Sequence, residues 1–366
     1  VVTFATGQGV IAIPAIDIQT IGAGGGSIAE IDAGGLLKVG PRSAGAVPGP
    51  ACYNLGGTAA TVTDANVVLG RLPINQPLAD NLWLDAEKAH RAVEELATSL
   101  NLPLIETAQG IVTLANETMA EALRLISIQK GFDPKAFTLC CFGGAGGLHL
   151  CELAERLGMH QTLVPNDAGI FSALGMLAAT PGRELTRAVN LRAKDCDPQD
   201  IRDRLDDLIL VARRALAAEG IEDTTVHPVF EIRYHGQTQT LSVPYLKDLQ
   251  SAFTEFETQH RNRYGHRLDT SLELVALRVR VAGIPRLKTP LSSASNATKS
   301  DQSPPTNPNA TSQQSWQNLI QGHAYAGPLI VTANHTCVWV KPGWTLEKLP
   351  TGHLKLTRER DSLNDE

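Results

Sequence analysis

CFGGAGGLHLCELAERLG, residues 141–158, places four glycines and an alanine between an apolar run and an amphipathic segment. Glycine has no Cβ, so a ligand can approach its main chain closely. Backbone N–H groups at a helix start carry partial positive charge and have no intrahelical acceptor. A strand, then Gly143, Gly144, Ala145, Gly146 and Gly147, then a helix suits the phosphate or ribose of a nucleotide. A tight turn with no ligand needs the same residues, and the local pattern leaves both readings open. A dinucleotide reading is the weakest. GxGxxG spacing is absent, and no acidic residue ends a following strand about 20 residues on.

Upstream, IGAGGGSIAEID carries a second glycine run. Gly24, Gly25 and Gly26 can cradle a substrate or phosphate with main-chain N–H groups, and Ser27 can donate a hydroxyl hydrogen bond. The alternative is a glycine-rich hairpin turn. Cys52, Asp64 and His149 supply a thiol, a carboxylate and an imidazole, a mixture that zinc accepts. They are distant in sequence. The structural alternative is a buried small residue, a helix cap and a helix-face histidine. Asp64 and Ser27 are also the candidate catalytic residues. Arg42 in PRSAGA can grip a carboxylate with two parallel hydrogen bonds or be an ordinary surface arginine. No Gly-x-Ser-x-Gly elbow, HExxH or Walker A loop is present.

These motifs need elements to position them. Residues 1 to about 75 are glycine-rich and read as strand, turn, strand and a long Pro/Gly loop, with Asp64 capping a short helix. DAEKAHRAVEELATSLN and ETAQGIVTLANETMAEALRLISIQKG have helical periodicity, the second stopping at Gly131. FTLCCF, the helix after GGAGG, QTLVP and AGIFSALGMLAA alternate strand with helix, as an α/β layer with a parallel component does. From about 186 to 290, two amphipathic helices and three strand-like runs predict an α+β domain. Residues 291–315 are polar and low in complexity, and predict a flexible insertion. Residues 316–366 predict a small β module and tail.

The totals narrow the class. A chain of 366 residues is long enough for two or three domains. A net charge of −6 without a basic stripe argues against nucleic acid as a partner. No apolar run reaches the roughly 18–20 residues that span a bilayer, so no membrane partner is expected. The six cysteines are scattered without a CxxC, which fits a reducing cytoplasm.

IGAGGGSIAEID, VGPRSAGAVPGPACYNLGGTAATVTDANVVLGRL and CFGGAGGLHLCELAERLG, in this order, resemble the hydantoinase A/5-oxoprolinase family. RYHGQTQTLSVP, the YGHR segment and GPLIVTANHTCVWVKPGW resemble that family's C-terminal region. The resemblance implies an α/β fold, with part of an actin/sugar-kinase/Hsp70-like ATPase core followed by an α+β C-terminal domain. Residues 1–185 would be the lobe on the adenosine side of the cleft. It implies ATP and Mg²⁺ as cofactors and a cyclic amide of the hydantoin or 5-oxoproline type as substrate. It also implies a hydantoinase B-type partner subunit. An acetone-type carboxylase subunit is the alternative with the same activation chemistry, and a non-catalytic binding remnant is another. Family members open with glycine-rich phosphate loops, one an Asp followed by Gly-Gly-Thr, and this sequence contains neither. The expectation is that a phosphate-binding lobe acts in trans and that this chain alone turns over little ATP.

Overall fold

The computed structural model describes residues 18–78, 82–245, 247–284, 312–333 and 335–358. Most of the expected insertion, 291–311, lies outside the described residues.

The first unit opens with a hairpin, β1 (Ser27–Ile31) and β2 (Leu37–Ser43). A loop leads to α1 (Val62–Val68), then α2 (Ala86–Leu100) and α3 (Leu104–Ile126). Local chemistry sets these ends. The Asp85 carboxylate accepts from Lys88 N–H at the start of α2, and Asn101 closes it in the left-handed region at φ +54°. Pro103 precedes α3, and Gly131, at φ +82°, ends the short 3₁₀ turn that follows. Next come β3 (Leu139–Cys140), α4 (Leu150–Arg156), β4 (Gln161–Val164) and α5 (Phe171–Ala178). β3 and β4 are parallel, as the alternating pattern predicts.

The second unit holds β5 (Gly182–Arg192), α6 (Pro198–Ala217), β6 (Thr224–Tyr234), β7 (Leu241–Pro244), α7 (Leu249–Tyr264) and β8 (Leu272–Gly283). Its antiparallel sheet runs β5-β8-β6-β7. Ile201, Leu205, Leu208, Ala212 and Leu216 form the buried stripe of α6 against that sheet. The expected boundary at 185/186 falls inside β5, a strand whose alternating polar residues hide it in sequence.

The remaining strands are β9 (Ser312–Ser315), β10 (Ala324–Ala326), β11 (Leu329–Ala333), β12 (Thr336–Val340), β13 (Trp344–Lys348) and β14 (Leu354–Arg358). They correct the picture of a separate C-terminal module. β10, β13 and β14 extend the sheet of β4 and β3, in the order β10-β13-β14-β4-β3. Residues 312–315, expected to be flexible, pair in parallel with β11. All five residues of β12 are buried, because two cores claim its two faces. Val338 and Val340 join a core with Leu150, Trp344 and Leu356, whereas Cys337 and Trp339 join one with Val62, Val93 and Ile111. Successive strand residues point to opposite faces, so one strand serves both cores. No helix among the described residues is long and apolar enough to cross a membrane.

Candidate nucleotide-binding hollow

Strand β3 ends at Cys140, and the chain turns through Phe142 to Ala145 into a 3₁₀ turn, Gly146–Leu148, that runs into α4. The turn is pinned from behind by β12. Thr336 Oγ1 donates to the Gly143 carbonyl at 3.0 Å, and Cys337 N–H donates to the Gly144 carbonyl at 3.2 Å. A Cβ on Gly147 would lie 2.5 Å from the Cys337 carbonyl oxygen, so only glycine lets the turn seat here. Gly147 is therefore packed under β12 rather than bare. Gly143 donates its own N–H to the Ala168 carbonyl at 2.7 Å. The N–H groups of Gly144 and Ala145 have no acceptor among the described residues.

A hollow of about 270 Å³ lies against this turn. That is close to the lower end of small-molecule sites, roughly 300–1,000 Å³. Its walls are Ala145, Gly146 and Phe142 of the turn, Gly24 and Gly25 of the upstream run, and an apolar stripe of α3. The stripe is Met119, Ala122, Leu123 and Ile126, at i, i+3, i+4 and i+7. The two glycine runs, more than a hundred residues apart in sequence, thus face one space. Gly24 has open space where a Cβ would stand, and Gly25 is backed by Thr63 Oγ1, which donates to its carbonyl at 2.9 Å. Gly26 packs instead against Ser43 Oγ and is not part of the wall.

Ser27 is committed to its own loop. It is 4% exposed, its hydroxyl accepts from Gly24 N–H at 3.0 Å, and it faces the Gly22 carbonyl at 3.5 Å. That replaces the expected hydrogen bond to a ligand. Asp64 is not the first cap of α1. Thr61 is, and Asp64 stands three residues on, completing a capping box. Its carboxylate is fully buried and accepts from the N–H groups of Ala51 at 3.2 Å, Cys52 at 2.8 Å and Thr61 at 2.9 Å, and from Thr61 Oγ1 at 2.7 Å. It clasps the Pro/Gly loop to the helix. Arg42 pairs with Glu30 on the surface at 2.7 Å.

The hydantoinase/oxoprolinase family model matches residues 2–184. The chain belongs to that family. It is 33% identical over 374 residues to the caprolactamase subunit alpha of Pseudomonas jessenii, covering 95% of this chain and 53% of that protein. An uncharacterized protein, MJ0964 of Methanocaldococcus jannaschii, is 38% identical over 276 residues, covering 75% of this chain and 40% of the other. The crystal structure of the ATP-dependent caprolactamase from Pseudomonas jessenii superposes with a TM-score of 0.81 at 29% identity, over 98% of this chain and 56% of that one. This chain thus spans about half the length of the curated relatives it matches. Its fold is the α/β, ATPase-type core of the family followed by an α+β unit.

The described residues do not bring Cys52, Asp64 and His149 together as a metal cluster. Among the described residues, no three His, Cys, Asp or Glu side chains come together as a metal would require. The physical reason is that Asp64 spends its lone pairs on backbone N–H groups, while burial and the neighbouring Asp64 carboxylate push the Cys52 thiol far up, away from the thiolate that binds metal.

His149 is 2% exposed and lies at the edge of the hollow. Its Nδ1 is 2.7 Å from Asn116 Oδ1, and the Asn116 amide donates to Glu152, which also holds Arg71 at 3.1 Å. A carboxylate only accepts, so Asn116 turns its oxygen to the ring, and Nδ1 carries the proton. The α3 partner Asn116 was not singled out in sequence. It lies on the buried face of a long helix, a polar residue among Ile111, Val112, Ala115 and Ala120, and that break in the apolar stripe is the sign the sequence carries. Burial, with help from the Arg71 charge, lowers the His149 pKa to about 4. The unfolded chain protonates near 6.5, so the folded state loses stability as pH falls from about 6.5 towards 4, by at most about 3 kcal/mol. His149→Gln is expected to flatten that part of the profile, measured by urea midpoints from pH 4 to 7. An unchanged slope contradicts the assignment.

Proposed function

We propose that this chain provides the adenosine-side wall of an ATP-dependent enzyme that opens a cyclic amide. The observation that supports this reading is the hollow bounded by two glycine runs, with the free N–H group of Ala145 in its wall; Gly143 and Gly144 lie outside the lining. A nucleoside needs an apolar slot for its base and bare main chain near its polar parts. Met119, Leu123 and Ile126 offer the first, and the GGAGG turn offers the second. When bound, ATP supplies a phosphoryl group that makes an unreactive amide carbon open to attack by water. The role of this chain's residues is to bind and orient. α3 excludes water from the apolar side, and β12 holds the turn rigid. Among the described residues no three His, Cys, Asp or Glu side chains cluster as an all-protein metal site needs, and Mg²⁺ would be carried chiefly by the ATP phosphates.

The reading extends to the partners. A phosphate-binding lobe and a B-type subunit complete the enzyme. The purified chain is expected to bind adenosine and to hydrolyse little ATP. Adding the two partners should give ATP hydrolysis that depends on 5-oxoproline, a hydantoin or ε-caprolactam, with the ring-opened amino acid as product. Carboxylated product from acetone plus bicarbonate, with no lactam-dependent turnover, would favour the carboxylase reading. Failure of the chain to bind adenosine by calorimetry would sink both.

A further inference from the structure

A second cleft, about 540 Å³, lies between α3 and α4 and shares no lining residue with the hollow. Arg71, Arg156 and Lys341 line it with Glu152 and Glu155, so three cations against two carboxylates leave one net positive charge. Glu117, just beyond, is shared by Arg156 and Arg124.

The carboxylates are already occupied. Glu152 is held by Arg71 and Asn116, and Glu155 by Lys341 at 2.5 Å and the Trp344 indole N–H at 2.9 Å. The spare hydrogen-bonding capacity is on the donor side. Arg71 Nη1 and Arg156 Nε have no partner and are closed off from solvent, so each donates to a cleft ligand only once its guanidinium group turns toward the cleft. Gln109 and Thr113 stand one turn apart on α3, line the cleft, and have side chains with no partner among the described residues. Buried guanidinium N–H groups left without an acceptor are costly, and nearby oxygens that fill them are favoured. A cation would find no free carboxylate here.

We infer that this cleft is a binding site for a small oxyanion, a phosphate or a carboxylate, gripped by Arg71 and Arg156 and oriented by Gln109 and Thr113. It rests on none of the residues assigned to the nucleoside.

The test is calorimetric titration of the full chain with inorganic phosphate and, separately, acetate, against chloride at matched ionic strength. Saturable binding of either oxyanion is expected. Tighter phosphate identifies a phosphate site, and tighter acetate a carboxylate site. Gln109→Leu combined with Thr113→Val, both on an exposed helix face, should weaken binding at least fivefold while leaving adenosine affinity unchanged. Arg156→Leu should weaken it further. Oxyanions that behave as chloride does, or a double variant that binds as the parent does, would overturn the proposal.

Discussion

Asp64→Ala unfolds the first unit of the protein, or leaves it less stable by about 4 kcal/mol or more, read as a lowered urea midpoint. Three backbone N–H groups and one hydroxyl converge on this carboxylate in a site with no solvent access. Removing the acceptor strands them all, and a buried donor without a partner costs roughly 1–3 kcal/mol. A whole domain is stable by only about 5–15 kcal/mol. Asp64→Asn should do almost as much harm. One of its two oxygens becomes an NH₂ group, and each oxygen already faces a backbone donor. Urea denaturation followed by circular dichroism checks both variants. A residue that acted only in chemistry would lose activity with its midpoint intact, so an unchanged midpoint contradicts the clasp.

The second large effect separates two neighbouring glycines. Gly147→Ala puts a Cβ 2.5 Å from the Cys337 carbonyl and 2.9 Å from Val338 Cγ2. Backbone cannot yield as a flexible side chain can, so the turn must lift off β12. A cost of about 3 kcal/mol is expected, at the upper end for overpacking. Gly146→Ala meets only Cys141, at 3.6 Å, an ordinary contact. It should fold within about 0.5 kcal/mol of the parent. Thermal unfolding of the two variants side by side decides the matter. Equal melting temperatures would mean that the turn is not seated as described.

Some of this was legible before the fold. Asp85 starts α2 by accepting a backbone N–H, and Gly131, at φ +82°, closes the turn after α3, as the sequence predicts. Such signals are local, and local chemistry is written in neighbouring residues. The GGAGG run marked a strand-to-helix turn, which the fold contains, but its local pattern served a plain turn and a ligand equally and did not decide between them. What stayed hidden depends on distance. Nothing near Asp64 announces that Ala51 and Cys52 will aim their N–H groups at it. Gly146 and Gly147 look alike in sequence, yet β12, almost two hundred residues later, covers one and leaves the other at the cavity. The cleft between α3 and α4 was missed for the same reason: Arg71, Glu152 and Lys341 meet only in three dimensions. β5 was missed because its exposed face carries Glu184, Thr186 and other polar residues, and its pairing with β8 is a tertiary fact.

The account rests on an adenine nucleoside occupying the space beside Gly146. The most direct measurement is adenosine binding to the purified chain by saturation-transfer NMR and calorimetry, with Gly146→Leu as the paired variant. The parent should bind adenosine saturably, and the leucine side chain should fill the hollow and abolish binding while the melting temperature holds. Adenosine binding that survives Gly146→Leu unchanged, or none in the parent, would contradict it.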